Sequence, residues 1–189
     1  MAVIKGKKLV SVSEDLLDAA AKVSREEGVS MGKLVETLLE QAVKVNKLKY
    51  RSDQMAEFFD VLQTNRVLGG LFVPTDVLDF MLEKCRVDSV QLQNLWLESG
   101  RWTGKYLTEK FSDPITVFSR FLELSRWDLN EVDVKPDGNA LKIQCVSTVM
   151  SLESTTTLAK FVEGAMDGIG YKLAGKDCLK GLLIMNFKK

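Results

Sequence analysis

The sequence predicts an α+β chain, with a small strand–helix–helix unit at the N-terminal end and a larger domain of helices packed on a small antiparallel sheet. Three observations carry this. Apolar residues recur every three and four positions over most of the chain, the spacing of one helix face. The period drops to two over 127–134 and 140–149, either side of Lys135-Pro136-Asp137-Gly138-Asn139, whose residue types favour a hairpin turn. An apolar run, Cys178–Phe187, closes the chain as a strand.

The 189 residues suit one ordinary domain with an appendage, or two small domains, and 46% hydrophobic content is enough for a sizeable core. No window approaches the roughly 18 apolar residues of a membrane span. The N-terminus shows no signal-peptide pattern, and three scattered cysteines (Cys85, Cys145, Cys178) make no disulfide framework, so a cytoplasmic location is expected. The formal net charge is zero, but residues 1–50 hold nine basic and seven acidic residues, with Lys5, Lys7 and Lys8 together at the tip. Histidine is absent altogether. That excludes Ser-His-Asp and Cys-His catalysis and removes the commonest transition-metal ligand. No CxxC pair, GxxxxGK[ST] loop or GxGxxG fingerprint occurs. Neither an enzyme nor a metal or cofactor is expected. The remaining enzymatic alternative is one using Cys178 or a carboxylate.

Lys7–Val12 reads as a short strand, with Val10 and Val12 β-branched. Ser13 stands as a helix N-cap, and Glu14 and Asp15 suit the positive end of a helix dipole. Leu16, Leu17, Ala20 and Val23 share one face of a helix ending near Glu27, where Gly28 supplies a left-handed terminator. Ser30 caps a second helix with a wider stripe, Leu34, Val35, Leu38, Leu39, Ala42 and Val43. A lone strand has no partner, and forty residues cannot bury both stripes. Two copies can, by pairing their strands and closing four helices beneath them. A homodimer is therefore expected.

Residues 7–45 resemble the ribbon-helix-helix family of DNA-binding proteins. The resemblance implies a two-stranded ribbon, exchanged between two chains, that enters the major groove. Lys7, Leu9 and Ser11 then face the bases, and Lys8, Val10 and Val12 face the helices. It also implies a phosphate held at the start of the second helix by Ser30, Met31 and Gly32, with Lys33 nearby. Leu9 and Lys8 depart from the family pattern: a polar residue is usual at the first position and an apolar one at the second. The alternative is a unit that only dimerises.

Residues 47–70 are expected to be a helical connector, with Met55, Phe58, Phe59 and Leu62 at helical spacing, between a first domain over 1–46 and a second over 71–189. Helices follow over Asp76–Lys84, Val90–Tyr106 and Ile115–Ser125, the second with Leu92, Leu95, Trp96, Ser99 and Thr103 on one face. Gly100 and Gly104 within it suggest close packing. After the hairpin, a helix is expected over Leu152–Leu173, interrupted at Gly164 and Gly168.

From about residue 92 to 187 the chain is similar to the small-molecule-binding domain named after four-vinyl reductase. The likeness rests on Ser99-Gly100-Arg101-Trp102-Thr103-Gly104, the hairpin, Phe161–Gly168, and Cys178-Leu179-Lys180-Gly181. It implies a pocket under the sheet for a small, often apolar ligand, in a domain fused to regulatory modules. Of the cysteines common in that family only Cys178 has a counterpart. Trp96, Trp102, Phe118, Phe121, Trp127, Phe161 and Met166 are candidate pocket walls, with Trp102 and Phe161 favoured because glycines flank them. The alternative for each is ordinary core. The combined expectation is a dimeric, ligand-responsive transcription regulator. The rival is a carrier or sensor of a small molecule that uses its first unit only to dimerise.

Overall fold

A computed structural model describes residues 10–84 and 90–189. The chain divides into two compact units, residues 1–55 and 56–189.

The first unit contains α1 (Glu14–Glu26) and α2 (Met31–Lys47), followed by a 3-10 turn at Ser52–Gln54. Gly28, at φ +67°, reverses the chain between the helices, and the Val29 amide returns to the Ser24 carbonyl. Ser30 caps α2 by accepting from the Lys33 amide at 3.3 Å, whereas Ser13 makes no side-chain cap on α1. The predicted strand over 7–12 is not part of the described fold. Lys7, Lys8 and Leu9 lie outside the described residues, and Val10–Val12 forms no strand.

The second unit comprises α3 (Met55–Val67), α4 (Thr75–Lys84), α5 (Val90–Lys110), α6 (Pro114–Ser125), the hairpin β1 (Glu131–Asp137) and β2 (Ala140–Val146), α7 (Leu152–Ile169), and the hairpin β3 (Lys172–Leu179) and β4 (Leu182–Lys188). Its sheet is antiparallel throughout, in the order β1-β2-β4-β3. The chain is α+β, as its periodicity predicts, with four strands where three were expected.

The difference lies at the end of α7. The helix runs unbroken through Gly164 and Gly168 and stops at Ile169, where Gly170 takes the left-handed conformation at φ +103°. Lys172–Leu179, which has little β propensity, is a strand because β4 pairs with it. The first hairpin is also tighter and later than its composition predicts. The strand expected over 127–134 begins at Glu131, and Asp137 pairs directly with Ala140 around Gly138-Asn139. Pro136 is tolerated inside β1 because β1 is an edge strand, where a missing amide donor breaks no ladder.

One face of the sheet is dry. Cross-strand pairs Leu141 with Phe187, Ile143 with Met185 and Cys145 with Leu183 are all buried, and they alternate with exposed Lys142 and Asn186. Phe118 and Leu122 of α6 and Leu158, Val162, Ala165 and Met166 of α7 join the same cluster. Burial pushes the Cys145 thiol up to about 12, so this cysteine packs as a small hydrophobe.

A second layer forms where α5 lies along α7, and glycine decides the contact. A Cβ on Gly100 would strike the Phe161 carbonyl, one on Gly104 the Ala165 carbonyl, and one on Gly164 the Leu97 carbonyl. The buried face of α5 is therefore Gly100, Thr103, Gly104 and Leu107. Leu95 and Ser99, expected on the inner face, are exposed. Counting apolar residues misses a face made of glycine. Substituting Gly100 or Gly164 by Ala drives a methyl into main chain that has no rotamer to yield. Each should cost about 1–3 kcal/mol or more in denaturant unfolding, against the usual gain from Gly→Ala in a helix.

Between α6 and β1, Arg126 donates to both oxygens of Asp128 at 2.8 and 2.6 Å. Burial raises the Asp128 carboxyl pKa, but the Arg126 hydrogen bonds and charge outweigh it, and the net shift is downward. A lowered carboxyl stabilises the fold above its unfolded pKa near 3.9, and the benefit is lost as pH falls through the lower folded value. Asp128→Asn should cost about 1–2 kcal/mol at pH 7. Urea midpoints of the two proteins should converge as the pH approaches about 3.

Candidate functional site

In the first unit, α1 and α2 touch over a small area. Ser24 and Leu34 are its buried positions, with Ala20, Ala21, Met31 and Thr37 half-buried around them. Of the apolar stripes read from the sequence, Leu34 is buried and Ala20 and Ala42 are half-buried, but the larger part lies outside this contact. Leu16, Leu17 and Val23 of α1 and Val35, Leu38, Leu39 and Val43 of α2 are exposed, Leu39 to 61%. Among the described residues nothing covers these exposed apolar faces.

The predicted phosphate-binding positions stand together at the start of α2. Ser30 accepts from the Lys33 amide with its side chain and from the Leu34 amide with its carbonyl. The amides of Met31 and Gly32 stand in the open first turn, where a helix offers N–H groups without intrahelical acceptors. Lys33 is exposed and lies 3.8 Å from Glu36. A Cβ on Gly32 would meet nothing within 4 Å, so packing within the chain gives no reason for glycine there. Of the predicted base-reading residues, Ser11 is exposed and belongs to no element, and Lys7 and Leu9 lie outside the described residues.

In the second unit, four of the five predicted ligand contacts come together in one cluster. Phe118, Phe121 and Phe161 form a triangle, with ring centroids 6.5, 6.3 and 6.3 Å apart. Phe118 and Phe121 are buried and Phe161 half-buried. Met166 is buried in the same cluster. Trp102 is not among them. It is 67% exposed on the outer side of α5, with the Lys105 ammonium 5.6 Å from its ring centroid. The glycines beside it serve the α7 contact rather than a ligand. Trp127 is likewise exposed and stacks on Phe72, centroids 5.3 Å apart.

Two groups escape the sequence reading. Asp79 on α4 accepts from the hydroxyls of Ser151 and Ser154 at the start of α7, beside an open cleft of about 440 Å³ lined by Asp76, Phe80 and Glu83. Thr64 on α3 is buried to 1%. The signal for Thr64 was its position one turn after Val61, but the stripe drawn through Met55, Phe58, Phe59 and Leu62 passes both over, and Phe59 is in fact exposed. Among the described residues no helix is long and apolar enough to cross a membrane.

No family model matches the chain, and a search of curated proteins returns no match.

If the open faces of α1 and α2 pack on one another across two chains, Leu38→Glu or Leu39→Glu should shift sedimentation velocity from dimer towards monomer. The charge would be buried without a partner, at a cost of several kcal/mol in assembly. Leu95→Glu, in the other unit, should leave the oligomeric state unchanged.

Proposed function

We propose that this chain is a dimeric, ligand-responsive transcription regulator, binding DNA through its first unit and a small molecule through its second. One observation carries the reading: the two amphipathic helices spend their mutual contact on Ser24 and Leu34 and leave seven large apolar side chains in water. A second copy of the same unit matches those stripes in length and character, and two-fold pairing of identical patches is the commonest way such a face is covered.

In the dimer, residues 7–12 of the two chains would pair as an antiparallel ribbon. This satisfies the main chain of Val10–Val12, which has no strand partner among the described residues. Lys7 and Ser11 would then face base edges, with Leu9 between them able to meet a thymine methyl. The first turn of α2 would grip the flanking phosphate with the Met31 and Gly32 amides, and Lys33 would add charge. The second unit would bias the spacing or tilt of the two ribbons. That requires a ligand to bind one arrangement more tightly than the other.

The open space around Gly32 supplies a test that separates this function from bare dimerisation. Gly32→Ala should raise stability by about 0.5–1 kcal/mol, because alanine restricts the unfolded chain and nothing in the fold resists its methyl. If a phosphate approaches these amides, the same change should weaken DNA binding, and Lys7→Ala with Ser11→Ala should weaken it further. A mobility shift against a random-sequence duplex pool at about 50 and 200 mM salt measures both the affinity and its electrostatic share. Absence of salt-dependent binding at either concentration removes the regulator and leaves a dimeric carrier.

A further inference from the structure

The second unit carries opposite charges on two separated surfaces, each beside exposed apolar side chains. The first surface lies at the start of α7. Asp76, Asp79 and Glu83 of α4 and Glu153 of α7 line an open cleft there, with Phe80 and Ser151. Asp79 is committed within the fold, accepting from the Ser151 and Ser154 hydroxyls at 2.8 and 2.5 Å. Asp76 and Glu83 are exposed and Glu153 is half-buried. The Lys84 ammonium stands 5.5 Å from the Phe80 ring centroid. Leu82 is the buried residue of α4, whereas Val77, Phe80 and Met81 are 48, 60 and 53% exposed, at the spacing of one helix face.

The second surface lies at the other end of α7, about 21 Å away from Glu153 to Asp167 at 1.5 Å per residue. Arg101 of α5 and Lys172 of β3 both bind the Asp167 carboxylate, Arg101 at 2.7 Å. Lys172 pairs across strands with the exposed Lys188. Lys105 lies where α5 meets Gly168, beside the largely exposed Trp102 ring. Glu98 binds Arg101, and in the next turn of α5 Glu109 and Lys110 offset each other. Four cations against Glu98 and Asp167 leave this surface positive. Four carboxylates against Lys84 leave the first negative.

Two-fold pairing of either surface with its own copy sets like charges against each other, which is costly. The two surfaces suit one another instead. Their charges oppose, and each brings exposed apolar area: Val77, Phe80 and Met81 on one, Trp102 on the other. From this complementarity we infer that the acidic surface at the start of α7 docks on the basic surface of a second copy, head to tail. A contact between unlike surfaces leaves one of each open, so copies add in rows or rings. Its ion pairs are solvated and individually weak, so the association grows with concentration and is screened by salt. The contact belongs to the second unit alone and does not rest on the proposed function. In a regulator of that kind it would link molecules bound at neighbouring sites.

The test is sedimentation velocity on the full chain over a range of concentrations, at about 50 and 500 mM salt. At the lower salt wild type should sediment faster as its concentration rises, and at the higher salt it should run as its smallest species. Asp76→Lys with Glu83→Lys should weaken the association at least about ten-fold, and so should Lys105→Glu with Lys188→Glu. Asp79, Arg101 and Lys172 are left unchanged because each holds a partner within the fold. Mixed one to one, the two variants should associate again, since each keeps the surface that the other has reversed. That rescue also shows both variants folded. Wild type that does not associate further with concentration would overturn the inference. So would association that persists in either variant or at high salt, or a mixture that behaves as its separate components. Leu38→Glu should change only the smallest species, so loss of the first-unit dimer and loss of the head-to-tail contact are read separately.

Discussion

The second unit depends on the approach of α5 to α7. Side chains normally hold helix axes 8–10 Å apart, and only glycine lets the carbonyl of one helix rest where the other would carry a Cβ. Gly100, Gly104, Gly164 and Gly168 alternate across this contact, two from each helix. With α7 seated on α5, its neighbouring face, with Leu158, Val162, Ala165 and Met166, joins the core cluster on the dry side of the sheet. The sheet alternates because that face exists. β3 becomes a strand because β4, already pinned by Leu183, Met185 and Phe187, presents an edge to it.

The first unit follows the opposite economy. Nothing in it resembles a core beyond Leu34 and Ser24, and its largest apolar side chains are the ones in water. The same residue types that close the second unit on itself leave the first incomplete. Forty residues of two helices enclose too little volume to shelter two stripes, whatever their sequence. The partner we propose for those stripes is a second copy of the same unit. In the second unit, α3 gives Val61 to the core and holds the Thr64 hydroxyl buried, without a hydrogen-bond partner among the described residues.

Much of this was legible in advance, for reasons that can be named residue by residue. Gly28 and Ser30 place the turn and cap of the helix pair because left-handed φ and an N-cap hydroxyl are local requirements. Asp113 and Pro114 start α6 on the same grounds, with the Asp113 carboxylate accepting from the Thr116 amide. The aromatic triangle is half visible in the sequence: composition points to Phe118, Phe121 and Phe161, and the fold brings them together. Trp102 was singled out on the same logic and faces solvent, because glycines beside a tryptophan do not say which of the two the neighbouring helix needs.

The sequence by itself determined the α+β class and the turn and caps at Gly28, Ser30, Asp113 and Pro114. Each of these is set by the φ, hydrogen-bonding capacity or hydrophobic period of a few adjacent residues. Only the tertiary structure decided which face of α5 is inner, that residues 172–179 form a strand, and that Thr64 is buried without a bond. Those are properties of what lies across a contact. A glycine face, a strand of low propensity and an orphaned hydroxyl acquire meaning only from neighbours that no local pattern reveals.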